Sequence, residues 1–207
     1  LPNFVPEGID FIRVVFQRDK LSEALACCKT IIDRGYRVMV HPLCMSLYSK
    51  RELTACINAF APLSLEAFLI DDSFGAFSAD DLQQKLQIAE QAFSSDTAIG
   101  FCGRNYLYRQ TELMQVLAEA ADTRTIIVHA TAGGFGKPGH CFSCEVVAQF
   151  LNEHHTPAPY CVERYMVVTQ RLYNRYGVSL NPLMTVTAAK ILTTAAANCD
   201  PNWCLYS

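Results

Sequence analysis

A strand-then-helix rhythm that returns about every thirty residues constrains this chain more than any other feature. "IDFIRVVF" (9–16) is a short apolar, β-branched run, "LSEALACCKTIIDRG" (21–35) has helical spacing and stops on Gly35, and "YRVMVHPL" (36–43) is a second strand. The unit then repeats with a helix over 50–61, strand "LEAFLIDD" (65–72), a helix over 79–94, strand "AIGFCG" (98–103), a helix over 109–121 and strand "TRTIIVHA" (123–130). Ser78 with Asp81 three residues on makes a capping-box-like helix start, and Gly35 is a plausible helix stop. Such alternation implies a parallel sheet with right-handed crossovers. After Gly139 the texture changes. A helix is expected over 144–155, a break at "TPAPY" (156–160), and helices over 161–176 and 183–197 with no strand between them. The expected division is therefore a β/α region over 1–155 and a helical C-terminal extension over 156–207 packed on it.

At 207 residues, 51% hydrophobic and 18% charged, the chain can bury one sizeable core. The formal charge of −3, with Lys and Arg scattered singly, lacks the footprint of a nucleic-acid binder. No apolar run is long enough to span a membrane and no secretory signal opens the chain, so a soluble, cytoplasmic protein is expected. Ten cysteines in so long a chain, several of them within helix and strand patterns, read as reduced thiols rather than a disulfide scaffold. Cys27, Cys28, Cys56 and Cys161 read as small core hydrophobes. The start at Leu1, with abrupt entry into structure, is what a fragment or trimmed chain would show.

Parallel strands alternating with helices make a closed barrel or an open doubly wound sheet, and in both the chemistry gathers at the strand C-terminal ends. Those ends carry His41 and Cys44, then Asp71, Asp72 and Ser73, then Cys102, Arg104 and Asn105, and lastly "HATAGGFGKPGHC" (129–141). Asp72 is the first-named carboxylate, suited to orient a substrate hydroxyl or a proton-transfer water, with a turn cap as the alternative. His41 and the pair His154 and His155 read as surface or loop residues. Gly134, Gly136 and Gly139 are spaced as G-x-G-x-x-G in a loop whose backbone can approach a ligand and whose N–H groups can cradle an anion. The loop follows the last strand rather than opening a first βα unit, which argues against a dinucleotide fingerprint. Cys141 and Cys144 form a C-x-x-C beside His140, open to three readings: metal ligands, a redox pair, or ordinary thiols.

Taken in order, these segments resemble the DRE-TIM metallolyase family, which includes hydroxymethylglutaryl-CoA lyase, homocitrate and isopropylmalate synthases, and 4-hydroxy-2-oxovalerate aldolase. "IRVVF" is similar to a mid-barrel strand of the family, "LIDDSFGAFSADDL" (69–82) to its D-T-x-G segment, and "IGFCGRN" (99–105) to its strand ending in H-x-H-N. "VHATAGGFGKPGHCFSCEVVAQFLN" (128–152) resembles the family's last strand and glycine loop, with Glu145 matching a family Glu. Residues 175–207 resemble the helical end of an aldolase-like subgroup. The resemblance implies an α/β fold of the TIM-type (β/α) barrel, incomplete at about five βα units, with a helical C-terminal extension. Five strands do not close an eight-stranded barrel, so an open edge is expected to need further residues or a partner chain.

The resemblance also implies a divalent metal, Mg²⁺ or Mn²⁺ in relatives, held by an Asp of the first strand, the two His of H-x-H and, in many members, an Asn of the glycine loop. The matching positions here are Cys102, Arg104 and His140, and His129 stands where relatives often have Asp. Cys102 and His140, with one further ligand, suit Zn²⁺; otherwise the ion is lost. Arg104 cannot ligate. Two readings of it stay open: it binds a substrate carboxylate, or it pairs with Asp72. The implied function is carbon–carbon bond cleavage or formation on a 2-oxo acid or acyl substrate, with an aldehyde as the other component, and with altered or lost activity. Asp72, Arg104 and Asn105 are the expected catalytic residues, Gly134, Gly136 and Gly139 the substrate-binding ones, and Cys102 and His140 the metal ligands. The alternative is a silent barrel serving as a binding or assembly module. A homodimer through the C-terminal helices is the implied assembly.

Overall fold

The structure, a computed structural model, describes residues 1–5, 7–136, 140–154 and 160–177. The expected helix over 183–197, the similarity of residues 178–207 and Gly139 lie outside the described residues.

The alternation read from sequence is present throughout. Strands β1 (Phe11–Phe16), β2 (Arg37–Pro42), β3 (Ala67–Asp72), β4 (Ala98–Gly103) and β5 (Ile126–His129) form one five-stranded parallel sheet in chain order. Helices α1 (Leu21–Asp33), α2 (Lys50–Phe60), α3 (Ala79–Ala92) and α4 (Gln110–Ala121) connect them, and α5 (Cys144–His154) and α6 (Val162–Tyr176) follow.

Local signals fix the helix ends. Ser78 and Asp81 form the expected capping box on α3, and Ser49 with Glu52 forms a second one on α2. The Gly35 N–H reaches the Ile32 carbonyl at 2.8 Å, closing α1 where the sequence placed its stop.

Strand alternation sorts the core into two faces. Val38, Val40, Phe68, Ile70, Ile99 and Phe101 turn toward the helices and meet Ile57, Phe60, Leu82, Leu86, Leu113 and Leu117, all buried. The opposite face carries Met39, Ala67, Leu69 and Ala98 as a smaller apolar cluster, with Ile127 packed against it. On β1, Ile12, Val14 and Phe16 pack on the helix side, while Phe11 and Val15 are exposed.

This second face is concave. Five strands spaced at about 4.8 Å would put the two edge strands about 19 Å apart if the sheet were flat. Yet Arg13 of β1 contacts His129 of β5 at 3.0 Å. The sheet is therefore an arc of a (β/α) barrel, helices outside, and the concave face is the barrel interior.

Candidate functional site

The strand C-terminal ends deliver polar side chains to that interior. Asp71 sits opposite Cys102 in the β3–β4 register, and Cys102 opposite His129 in the β4–β5 register. His41, near the end of β2, directs Nε2 to Asp71 Oδ2 at 3.0 Å. His41 is not a surface or loop residue: it is 5% exposed. Its Nδ1 is buried without a hydrogen-bond partner. The other Asp71 oxygen accepts the Cys44 N–H at 2.9 Å and the Ser73 hydroxyl. Cys44 is disulfide-bonded, which corrects the expectation of reduced thiols for that one residue; seven other cysteines of the described residues are free.

Two guanidinium groups flank this cluster. Arg13 lies at the β1 edge and donates to His129 Nδ1. A guanidinium has no acceptor, so Nδ1 must carry the lone pair, and the neutral ring then keeps its proton on Nε2. Burial, then the charges of Arg13 and His41, push His129 down to about 4, so the ring is neutral at physiological pH. Arg104 follows Cys102 by two residues and donates from Nη1 to Cys141 Sγ at 2.5 Å. A Cβ at Gly136 would stand 2.6 Å from Cys141 Sγ and 2.9 Å from Arg104 Nη1, so the missing side chain is what lets guanidinium and thiol meet there. Burial, reinforced by the Asp71 carboxylate, pushes the Cys102 thiol up to about 12 against the opposing charges of Arg104 and Arg13.

The remaining expected residues have other partners. Asp72 faces the helix side. Its two oxygens accept the N–H groups of Ala76 (3.0 Å) and Phe77 (2.9 Å), and it makes no pair with the Arg104 guanidinium; only the Arg104 backbone N–H meets the Asp72 carbonyl. Its full burial pushes its pKa up to about 7 despite those two donors. Asp72 is thus a turn cap rather than a catalytic carboxylate, and the inward carboxylate is its neighbour Asp71. Gly75, at φ +62, completes that loop: a Cβ there would stand 2.7 Å from the Arg104 carbonyl.

Asn105 accepts the Gln110 N–H at 2.9 Å and so caps the start of α4. His140, with left-handed backbone, sets its ring against Tyr106 and Tyr108 and does not join Cys102 in a set of ligand atoms. Cys141 and Cys144 are both free, so no bond links the C-x-x-C.

The glycine loop is held from within rather than open to an anion at the two N–H groups whose partners are seen. The Gly133 N–H is shared by both oxygens of Glu145 at 3.1 Å, and the Gly134 N–H meets the Thr131 carbonyl at 3.0 Å. Burial alone would raise Glu145, but the hydroxyls of Ser143 and Thr169 and the Gly133 N–H hold it below the ordinary carboxylate value. Because Thr169 and Tyr173 belong to α6, that helix latches the loop.

These positions do not fit the hard-metal centre that the resemblance implies. The two H-x-H positions are a thiol and a guanidinium; the guanidinium has no lone pair, and Mg²⁺ or Mn²⁺ needs oxygen or imidazole ligands. Among the described residues, the group with metal-ligand character is instead His41, Asp71 and Cys102, whose ligand atoms lie within 4.8 Å of one another.

No family model and no curated protein matches the sequence. Solved structures do. The chain is 19% identical to the N-terminal domain of an aldolase-like protein from Bacteroides vulgatus, at TM-score 0.73 over 96% of this chain and 64% of that one. It is 12% identical to hydroxymethylglutaryl-CoA lyase from Pseudomonas aeruginosa, at TM-score 0.69 over 91% of this chain and 73% of that one. The carboxyl transferase domain of Rhizobium etli pyruvate carboxylase gives TM-score 0.61 at 11% identity, over 89% of this chain and 30% of that one. The chain thus spans less than two thirds of the aldolase-like domain's length, and no helix of its described residues is long and apolar enough to cross a membrane. At these identities the likeness is one of fold: the chain has the (β/α) barrel architecture seen in those lyase, aldolase-like and carboxyl transferase structures.

Proposed function

We propose that this is a carbon–carbon lyase-type barrel that binds a 2-oxo acid on its concave face, with the guanidinium groups of Arg13 and Arg104 taking the place of a family metal. The observation that carries this is Arg104, a fixed cation seated on Cys141 where the resemblance calls for a metal-ligating imidazole. A guanidinium takes a substrate carboxylate bidentately, and Arg13 offers a second such group from the facing edge.

Carbon–carbon cleavage next to a carbonyl, or in the other direction loss of the α-proton before the bond forms, moves an electron pair onto the carbonyl oxygen, and the enolate so formed needs a cation or a donor beside it. A fixed unit charge about 4 Å from that oxygen interacts by about 4 kcal/mol at an effective dielectric constant of about 20, enough for roughly a thousandfold in rate if felt only by the enolate. His129 supplies the neutral counterpart. Its Nε2–H, fixed by Arg13 on the other nitrogen, can donate to the same oxygen without taking on charge.

A second reading is a binding module without turnover, favoured by the replacement of both family imidazoles by Cys102 and Arg104. Deuterium exchange separates the two. Pyruvate is incubated with the protein in D₂O and its methyl signal followed by NMR, for wild type and Arg104→Met. Exchange above the buffer rate that disappears in Arg104→Met supports the lyase reading. Saturable pyruvate binding without exchange makes the chain a binding module, and neither exchange nor binding overturns the proposal.

A further inference from the structure

His41 on β2, Asp71 on β3 and Cys102 on β4 bring an imidazole nitrogen, a carboxylate oxygen and a sulfur within 4.8 Å of one another on the barrel interior. We propose that these three residues form a binding site for a thiophilic divalent cation of the zinc class. The ligand set draws one residue from each of three adjacent strands and differs from the two imidazoles on a single strand that the resemblance implies.

Two observations support the assignment, and a third sets what binding must overcome. Asp71 and Cys102 are opposed in the parallel register, so their approach is built into the sheet rather than left to flexible loops. His41 and Asp71 are 5% and 3% exposed, which puts an imidazole and a carboxylate in a setting where polar groups normally need strong partners. The His41 ring is held through Nε2 alone, since its Nδ1 is buried and unpartnered. A metal on Nε2 moves the ring proton to Nδ1, so binding has to offset an unpaired buried donor as well as the lost Asp71 contact.

The donor set selects the ion. Sulfur with nitrogen and one carboxylate favours Zn²⁺ over Mg²⁺ or Ca²⁺, and three protein ligands leave a coordination position open. Binding forms a metal–sulfur bond and releases the Cys102 thiol proton to solvent, so thiolate and carboxylate together neutralise the ion. The two nearby guanidinium groups are engaged outside the set, Arg13 on His129 and Arg104 on Cys141. This inference goes beyond the oxo-acid reading and is tested apart from it, because metal binding is read without substrate; a bound ion would be a further cation on the concave face beside the two guanidinium groups, on ligands other than the family's.

The test is a Co²⁺ titration of the full chain, following the thiolate-to-cobalt charge-transfer absorbance in the near ultraviolet, with X-ray absorption on the zinc-loaded protein. Wild type should take up about one ion per chain, with a single sulfur in its coordination shell, as a three-residue catalytic-type site requires. Cys102→Ser should abolish the charge-transfer band, and His41→Gln and Asp71→Asn should each weaken binding by at least about tenfold. Arg104→Met should bind at least as tightly as wild type. Circular dichroism confirms that each variant is folded, and the X-ray absorption result on wild type does not depend on any variant folding. Absence of the band in wild type, its survival in Cys102→Ser, or two sulfurs in the shell, as Cys141 with Cys144 would give, overturns the assignment.

Discussion

The guanidinium of Arg13, on one edge strand, donates to Nδ1 of His129, on the other edge strand, at 3.0 Å and 116 residues apart in sequence. That contact spans the concave face and fixes which nitrogen of the imidazole carries the proton. His129 has an ordinary value near 6.5 and is lowered to about 4, first by burial and then by Arg13. A histidine lowered on folding contributes stability above its unfolded value, and that stability is lost as pH falls. The expected window for this loss is therefore from about 6.5 down to about 4. Arg13→Met should move the His129 titration part of the way back toward its ordinary value, read from its ring protons by NMR. An unmoved titration would show that Arg13 does not set it.

Gly136 lies against the seated guanidinium. Its backbone is not in the left-handed region, so Gly136→Ala meets only side-chain ends, Cys141 Sγ at 2.6 Å and Arg104 Nη1 at 2.9 Å. The flexible arginine yields more easily than the backbone. The expected outcome is a stability change of under about 1 kcal/mol with a clear loss of oxo-acid affinity, from thermal unfolding and calorimetry on the same protein. An affinity equal to wild type would mean that the seat of Arg104 is unimportant.

Neighbouring aspartates should separate cleanly. Asp72 satisfies two buried N–H groups, Ala76 and Phe77, and an asparagine amide offers only one oxygen. Asp72→Asn should cost about 1–3 kcal/mol through the unpaired donor, measured by chemical denaturation, and should leave ligand binding by the folded protein unchanged. Asp71→Asn, whose carboxylate accepts the Cys44 N–H and meets His41 Nε2, should also cost stability but should in addition weaken divalent-cation binding by the folded protein. A loss of cation binding in Asp72→Asn with none in Asp71→Asn would make Asp72 the functional carboxylate instead.

On the helix side, Phe68 is fully buried between Phe60 and Phe93. Phe68→Ala should cost about 3–5 kcal/mol in chemical denaturation, the range for deleting a buried aromatic ring. A cost under about 1 kcal/mol would mean that this layer is not the core.

The fold is legible because β-branched runs and helical spacing alternate without interruption, and some helix ends carry a residue suited to them, as Ser78 does at the start of α3 and Gly35 at the end of α1. The site was only partly legible. Cys102, Arg104 and Gly136 were found at strand ends and do meet one neighbourhood. The sequence names His41 and Asp71 at strand ends yet reads the first as a surface or loop residue and gives the second no role, because a histidine inside an apolar strand and the first of two aspartates carry no motif. Strand parity was the usable signal: Phe68 and Ile70 face the helices, so Asp71 must face inward and Asp72 outward. The same count along β2 turns His41 inward with Met39. Arg13 was not reachable that way, because its role depends on curvature bringing β1 to β5, and curvature is set by the whole sheet rather than by any one segment.

Direct binding tests the central claim, that guanidinium groups hold a carboxylate-bearing oxo acid on the concave face. Pyruvate, and oxalate as a mimic of its enolate, are titrated calorimetrically into wild type and Arg104→Met in metal-free buffer. Saturable binding to wild type that weakens by about tenfold or more in Arg104→Met, the loss of one charge-assisted contact, is the predicted result. Equal affinity in the two proteins, or no binding to wild type, would contradict it.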